Sequence, residues 1–241
     1  MDCTLYRKSI GFWLLGIGCW LWALPVCGQQ PVADTPHWRD SLAVLNRQIA
    51  ASPDSTDLRL RKAAVNIELG QWEYAADEYT RVLAKDAQNP AARFFRAYTN
   101  TQLKRYDQAL FDYEELLRSY PLHFEARLGH AYVQQKTGRR TESLDELNLM
   151  AEMFPDSVTV YAARAGLEAE MQLTEPALYD WERCEQIDSL NAGYVASHVD
   201  LLLAHRRIEE AFGVLDAAVA RGIPRGMVQA LYIRCRKEMT K

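Results

Sequence analysis

A spacing of 34 residues organises this 241-residue chain from about His37 onward. Ala75, Ala109, Ala177 and Ala211 stand on one 34-residue ladder, with Ser143 on the missing rung and Ser41 one period earlier. A second ladder carries Ala63, Ala97, Ala131 and Ala165. Four residues after each small residue of the first comes bulk: Leu45, Tyr79, Tyr113, Leu147, Trp181 and Leu215. Pro53, Pro121 and Pro155 share the grid. Six small residues in register without an insertion mark one supersecondary unit repeated along the chain.

Each period holds two helical segments. Leu58–Leu69 and Ala91–Leu103 are rich in helix formers, lack Gly and Pro, and place apolar residues at helical spacing, as do Glu73–Ala84 and Asp107–Arg118. Gly70 and Gly138 end two of the first helices, where glycine enters the left-handed conformation cheaply. Pro121 and Pro155 follow the second helices. A lone pair cannot bury its apolar faces and a stack can, so the expected fold is all-α, an α-solenoid of about twelve helices. The expected plan is an opening cap at 37–50, pairs at 56–89, 90–123, 124–157, 158–191 and 192–225, and a closing helix at 226–239, all within a solenoid at 37–241.

These residues carry a family resemblance. The 34-residue helix–turn–helix period, the steps Ala75-x-x-x-Tyr79 and Ala109-x-x-x-Tyr113, the turns Gly70-Gln71-Trp72 and Arg105-Tyr106-Asp107, and the closing prolines resemble the tetratricopeptide repeat. The resemblance implies a right-handed superhelix whose first helices line a concave groove for a peptide. The chain departs from the family in its first helices. Arg59, Arg93 and Arg127 stand where the family has Trp; Lys62, Arg96, His130 and Arg164 where it has Leu; Asn66, Asn100 and Gln134 where it has Tyr.

The N-terminus reads differently. Arg7-Lys8, an uncharged run Ile10–Leu24, and the exit Pro25-Val26-Cys27-Gly28 form the three parts of a signal peptide over 1–28, followed by a linker at 29–36. The expectation is cleavage near Gly28/Gln29 and an exported, periplasmic or envelope-associated protein. The membrane would be met only through an uncleaved leader or a lipid on Cys27. Only Cys184 and Cys235 then remain, on helices more than one repeat apart, which suits apolar packing better than a disulfide.

Composition and motifs bound the function. A chain with 49% hydrophobic and 25% charged residues is neither disordered nor a polytopic membrane protein. A net charge of −4 argues against a nucleic-acid partner. The sequence contains no His-Glu-x-x-His, Cys-x-x-Cys or Walker-type loop. His123 with His130, and His198 with His205, lack metal-ligand spacing, so no metal, cofactor or catalytic residue is expected.

The most informative polar feature is a basic column: Lys62, Arg96, His130 and Arg164. Sixteen residues after each comes an acid, Glu78, Asp112, Glu146 and Asp180. Matching signs predict structural ion pairs rather than a ligand stripe, because half of a buried pair costs about 3–5 kcal/mol. His198 faces Val214 at the same offset, which predicts a lost pair and a looser end.

By position, the groove implied by the resemblance is lined by Leu60, Phe94 and Leu128, unless these turn inward to replace the missing Trp, then by Ala64, Tyr98 and Tyr132, flanked by Thr101, Gln102, Gln135 and Lys136. The columns continue through Ile67, Glu68, Ala162, Gly166, Ala169 and Glu170. Tyr98 and Tyr132 are the expected anchors, accessible until a partner arrives. The expected function is a non-enzymatic adaptor for a protein or peptide segment. Its rival is an envelope assembly subunit that self-associates or docks through its end helices, with Met227, Leu231 and Tyr232 exposed on the closing one.

Overall fold

The computed structural model describes residues 36–240; the leader and most of the linker lie outside the described residues. Among those described, the chain is all helix: α1 (Pro36–Ala51), α2 (Thr56–Glu68), α3 (Trp72–Lys85), α4 (Pro90–Gln102), α5 (Tyr106–Ser119), α6 (Phe124–Lys136), α7 (Arg140–Met153), α8 (Val158–Glu170), α9 (Thr174–Ile187), α10 (Ala192–Ala204), α11 (Ile208–Ala220) and α12 (Arg225–Met239). They fall into two compact units that divide between Ser143 and Leu144, inside α7. In the first, each helix from α1 to α6 packs against the next; in the second, α8 to α12 do the same.

The ladders are the core. Ala63, Ala75, Ala97, Ala109, Ala165, Ala177 and Ala211 are fully buried, and Ala131 nearly so. Alanine on both helices of a pair lets the backbones close up, and the bulky residue one turn on fills the space beside them. Tyr79 and Tyr113 are buried this way; Tyr79 stacks on Phe95 at 5.9 Å. Ser143 keeps the small size of its rung, and its hydroxyl donates to Ala131 O at 2.7 Å.

Two local devices recur at the same period. Every first helix from α2 to α10 is followed by a left-handed residue: Gly70, Lys104, Gly138, Gln172 and Arg206. The next amide closes the turn onto the carbonyl five residues back, as Arg105 N does on Asn100 O at 2.8 Å. Only two of the five positions carry glycine. Before each of these helices stands a cap residue, Ser55, Asn89, His123, Ser157 or Asn191. Ser55, Asn89 and His123 each accept an amide hydrogen bond three residues on. His123, in the turn between repeats, thus caps α6, and its ring stacks on Phe94 at 5.2 Å. Pro121 and Pro155 lie in the turns, ahead of these caps. Cys184 and Cys235 are free and buried.

Candidate functional site

Arginine in the first helices is held from two sides. Arg96, on α4, donates Nε and Nη2 to the two carboxylate oxygens of Asp112 on α5, both at 2.7 Å, and Nη1 to Thr80 Oγ1 on α3 at 3.3 Å. Arg164, on α8, repeats the pattern with Asp180 at 2.6 and 2.7 Å and Asn148 at 3.1 Å. The partners sit sixteen residues after and sixteen before, so one guanidinium ties three helices. Asp112 and Asp180 are each 1% exposed, and planar bidentate pairing is what makes such burial tolerable.

Lys62 meets Glu78 at 2.8 Å. Burial alone would raise the Glu78 carboxyl; hydrogen bonds and charge from Lys62 and Arg59 outweigh it and hold it below its ordinary value. His130 follows the backward offset, with Nε2 3.8 Å from Glu114 Oε1; Glu146 lies beyond Ser143, in the second unit. His198 corrects an expectation. It has no acid sixteen residues on, yet its Nδ1 lies 2.8 Å from Glu185 Oε1 on α9, whose other oxygen takes Arg221 at 2.5 Å. An acid from the preceding pair substitutes for the missing one, so the end is tied rather than loosened there. His205 Nε2 lies 3.1 Å from Thr174 Oγ1.

The arginines standing for the family's Trp also have a shared task. Arg59, Arg93 and Arg127 donate to the carbonyls six residues back, of Pro53, Ala87 and Pro121, at 2.8, 2.5 and 2.5 Å. Each ties the loop between repeats to the helix that follows it. In the second unit Tyr161 takes that place, with Arg164 and Arg183 over its ring at 5.6 and 5.7 Å.

The predicted groove residues divide. Leu128 is 4% exposed and Thr101 9%. Leu128 takes the inward of its two expected courses; Thr101 is a correction, its hydroxyl donating to Ala97 O at 2.9 Å instead of facing a ligand. Ile67, Ala162 and Gly166 are buried as well. Phe94 is half-buried, edge-on to Tyr113 at 6.2 Å and stacked on His123, so it is drawn into the turn. Leu60, Ala64 and Gln135 are half-buried; Gln102 and Lys136 are exposed.

Tyr98 and Tyr132 keep a partly open face. Tyr98 packs against the core around Tyr79 and sits edge-on to Trp72 at 6.1 Å. Burial, with the Glu68 carboxylate nearby, pushes its hydroxyl up to about 12, so it remains a donor at neutral pH. Tyr132 lies against the neighbouring core, with the Lys136 ammonium 5.1 Å above its ring. Neither ring stands free before a partner arrives, which corrects the expectation of full accessibility. On α12, Met227 is exposed as expected, but Tyr232 is buried and donates to Asp216 Oδ1 at 2.6 Å. A tyrosine there covers the last pair instead of presenting itself.

Sequence reasoning missed Glu168. It lies one period after Gln134, on the ladder that begins with Asn66, and that register was the available signal. The side chain is buried, Oε1 is 3.9 Å from Arg164 Nε, and Oε2 has no hydrogen-bond partner. Burial, then the Asp180 charge, raise its carboxyl to about 7 against the pull of Arg164. Among the described residues no three His, Cys, Asp or Glu side chains gather as a metal site, and no helix is long and apolar enough to cross a membrane.

The comparisons with known proteins follow the grid. The tetratricopeptide repeat family model matches residues 60–115 and 102–158. A tetratricopeptide repeat protein from Parabacteroides merdae ATCC 43184 has 22% identity over 83% of this chain and 78% of its own, with a TM-score of 0.63. MamA (41-end) from Desulfovibrio magneticus RS-1 has 14% identity over 70% and 95%, TM-score 0.62. YrrB, a tetratricopeptide protein with an unusual peptide-binding site, has 16% identity over 80% and 97%, TM-score 0.59. No curated protein matches the chain significantly in sequence. At these identities the structural likeness is one of fold. Residues 60–158 thus match the tetratricopeptide repeat model, and helices of the same helix-pair grid flank them on both sides.

Proposed function

We propose that the protein is a non-enzymatic interaction scaffold that holds a peptide or protein segment against the first-helix face of its repeats, outside the cytosol. The observation that carries this reading is the pair Tyr98 and Tyr132, at equivalent places on the neighbouring helices α4 and α6. Each ring is braced by the fold, through Trp72 or Lys136, and keeps part of its surface open. A pre-positioned aromatic loses little freedom on binding, so its contact area is available for affinity. Exposed Gln102 and Lys136 supply hydrogen bonds beside them. The peptide site of YrrB is a property of that protein, and it supports the reading by analogy of fold.

Export rests on the leader: Arg7-Lys8, the apolar run and the Val26/Gly28 exit. An intact mass beginning at or near Gln29 supports it; a mass retaining 1–28, or a lipid on Cys27, replaces it with anchoring.

The test is crosslinked capture of partners from the native envelope, comparing wild type with Tyr132→Ala. A central aromatic anchor predicts a loss of about 2 kcal/mol in affinity. Tyr74→Ala, on the exposed side of α3, should leave capture unchanged. Equal capture by all three forms moves the binding face elsewhere. A second reading, self-association through the end, is favoured by exposed Met227, Ile233 and Met239 on α12. Light scattering that stays monomeric across concentration removes it.

A further inference from the structure

On the second-helix side of the first unit, a cleft of about 550 Å³ opens between α3 and α5, with α4 as its floor. It shares no residue with the groove columns. Its floor includes Asn100, a residue 3% exposed, and among the described residues no hydrogen bond reaches its carboxamide. The corresponding Asn66 is sealed, its Nδ2 wholly buried, so an amide opening into a cleft belongs to Asn100. Beside it runs the Arg96 guanidinium, fixed between Asp112 and Thr80 by three of its five N–H groups. One end is closed by Arg105, paired with both oxygens of Glu73 at 2.8 Å.

The walls carry the selectivity. Asp77 on α3 and Asp107 on α5 line the cleft without an ion-pair partner among the described residues, and Phe111 adds an aromatic surface 56% exposed. A carboxamide offers one donor and one acceptor side by side, the complement of a peptide group. Two uncommitted carboxylates favour a cation, while the basic groups present are already neutralised by Asp112 and Glu73.

We propose that this cleft is a second binding site, taking an extended, lysine-bearing peptide segment. The backbone amide of the segment pairs with Asn100, its ammonium lies between Asp77 and Asp107, and an apolar side chain rests on Phe111. The site lies apart from the first-helix face, so it stands or falls independently of Tyr132.

The test uses the full chain and a fluorescein-labelled, end-capped peptide of about ten residues alternating lysine and alanine, read by anisotropy. The glutamate–alanine counterpart should not bind. Asp77→Asn with Asp107→Asn should weaken binding about tenfold, and Phe111→Ser about threefold. Both changes are at the surface and leave the fold intact, whereas Asn100→Ala tests the floor but risks the packing. Asp40→Asn with Asp57→Asn, the same charge change elsewhere in the unit, should change affinity less than about twofold. Tyr132→Ala should have no effect. The proposal is overturned by absent binding, by equal losses in the two double variants, by retained affinity in the Asp77/Asp107 variant, or by loss in Tyr132→Ala.

Discussion

Gly129 stands where a Cβ would lie 2.5 Å from Cζ of Tyr113 and 2.6 Å from its hydroxyl. Tyr113 is 2% exposed, and its ring fills the notch that this glycine leaves in α6. In the preceding repeat the equivalent position is Phe95, and Tyr79 stacks on it face to face. One aromatic step is accommodated by a ring and the next by the absence of a side chain.

Gly129→Ala should therefore destabilise the first unit. Alanine gains about 1 kcal/mol of helix propensity, but a displaced, enclosed tyrosine costs about 1–3 kcal/mol. The expected net is a loss of about 1 kcal/mol, read as a lower urea midpoint at constant slope. Gly129→Ala with Tyr113→Leu should recover it; a single variant more stable than wild type removes the notch argument.

The pair Arg96–Asp112 should show strong coupling. Arg96→Met leaves a carboxylate that is 1% exposed with only Arg93 Nη1, 3.7 Å away, and a loss of about 3 kcal/mol is expected. Arg96→Met with Asp112→Leu should regain much of that, because two apolar groups need no partner. Simple additivity of the single effects in a double-mutant cycle would mean that the bidentate bond contributes nothing.

Glu168 sets a pH dependence in the second unit. Its carboxyl is raised from 4.5 to about 7, so between these values the folded state holds a proton that the unfolded chain releases. Stability from this group is complete below about pH 4.5 and declines as pH rises through 7. The full shift corresponds to at most about 3 kcal/mol. Glu168→Gln should flatten that decline, so that urea midpoints of wild type and variant converge at pH 5 and separate at pH 8. Parallel pH profiles would contradict it.

Lys104 and Gln172 hold left-handed backbone at φ 57° and 63° without being glycine. Lys104→Gly should stabilise by up to about 1 kcal/mol, since the steric cost of a Cβ there exceeds what glycine adds to unfolded-chain freedom. Gly138→Ala, at φ 83°, should destabilise by a similar amount. Thermal midpoints that move in the same direction would contradict the assignment of strain to that turn.

The sequence by itself determined the repeat. A strict period needs no tertiary information to be seen, and small residues in register point to close helix packing, so the helix count and alanine core were legible in advance. The sixteen-residue offset was legible for the same reason: Arg96 and Asp112 sit at fixed heights on two antiparallel helices. Tertiary structure decided where side chains with a choice went. Thr101 had a backbone acceptor one turn behind it and left the face that position alone assigns it, and Leu128, which position left with two courses, turned inward. His198 found Glu185 on a different helix pair, an offset that no ladder encodes. The notch at Gly129, the caps at His123 and its equivalents, and the raised carboxyl of Glu168 depend on distances and burial among three or more helices. Such quantities belong to the packing of neighbours, and a one-dimensional pattern carries them only where every repeat solves the same problem in the same way.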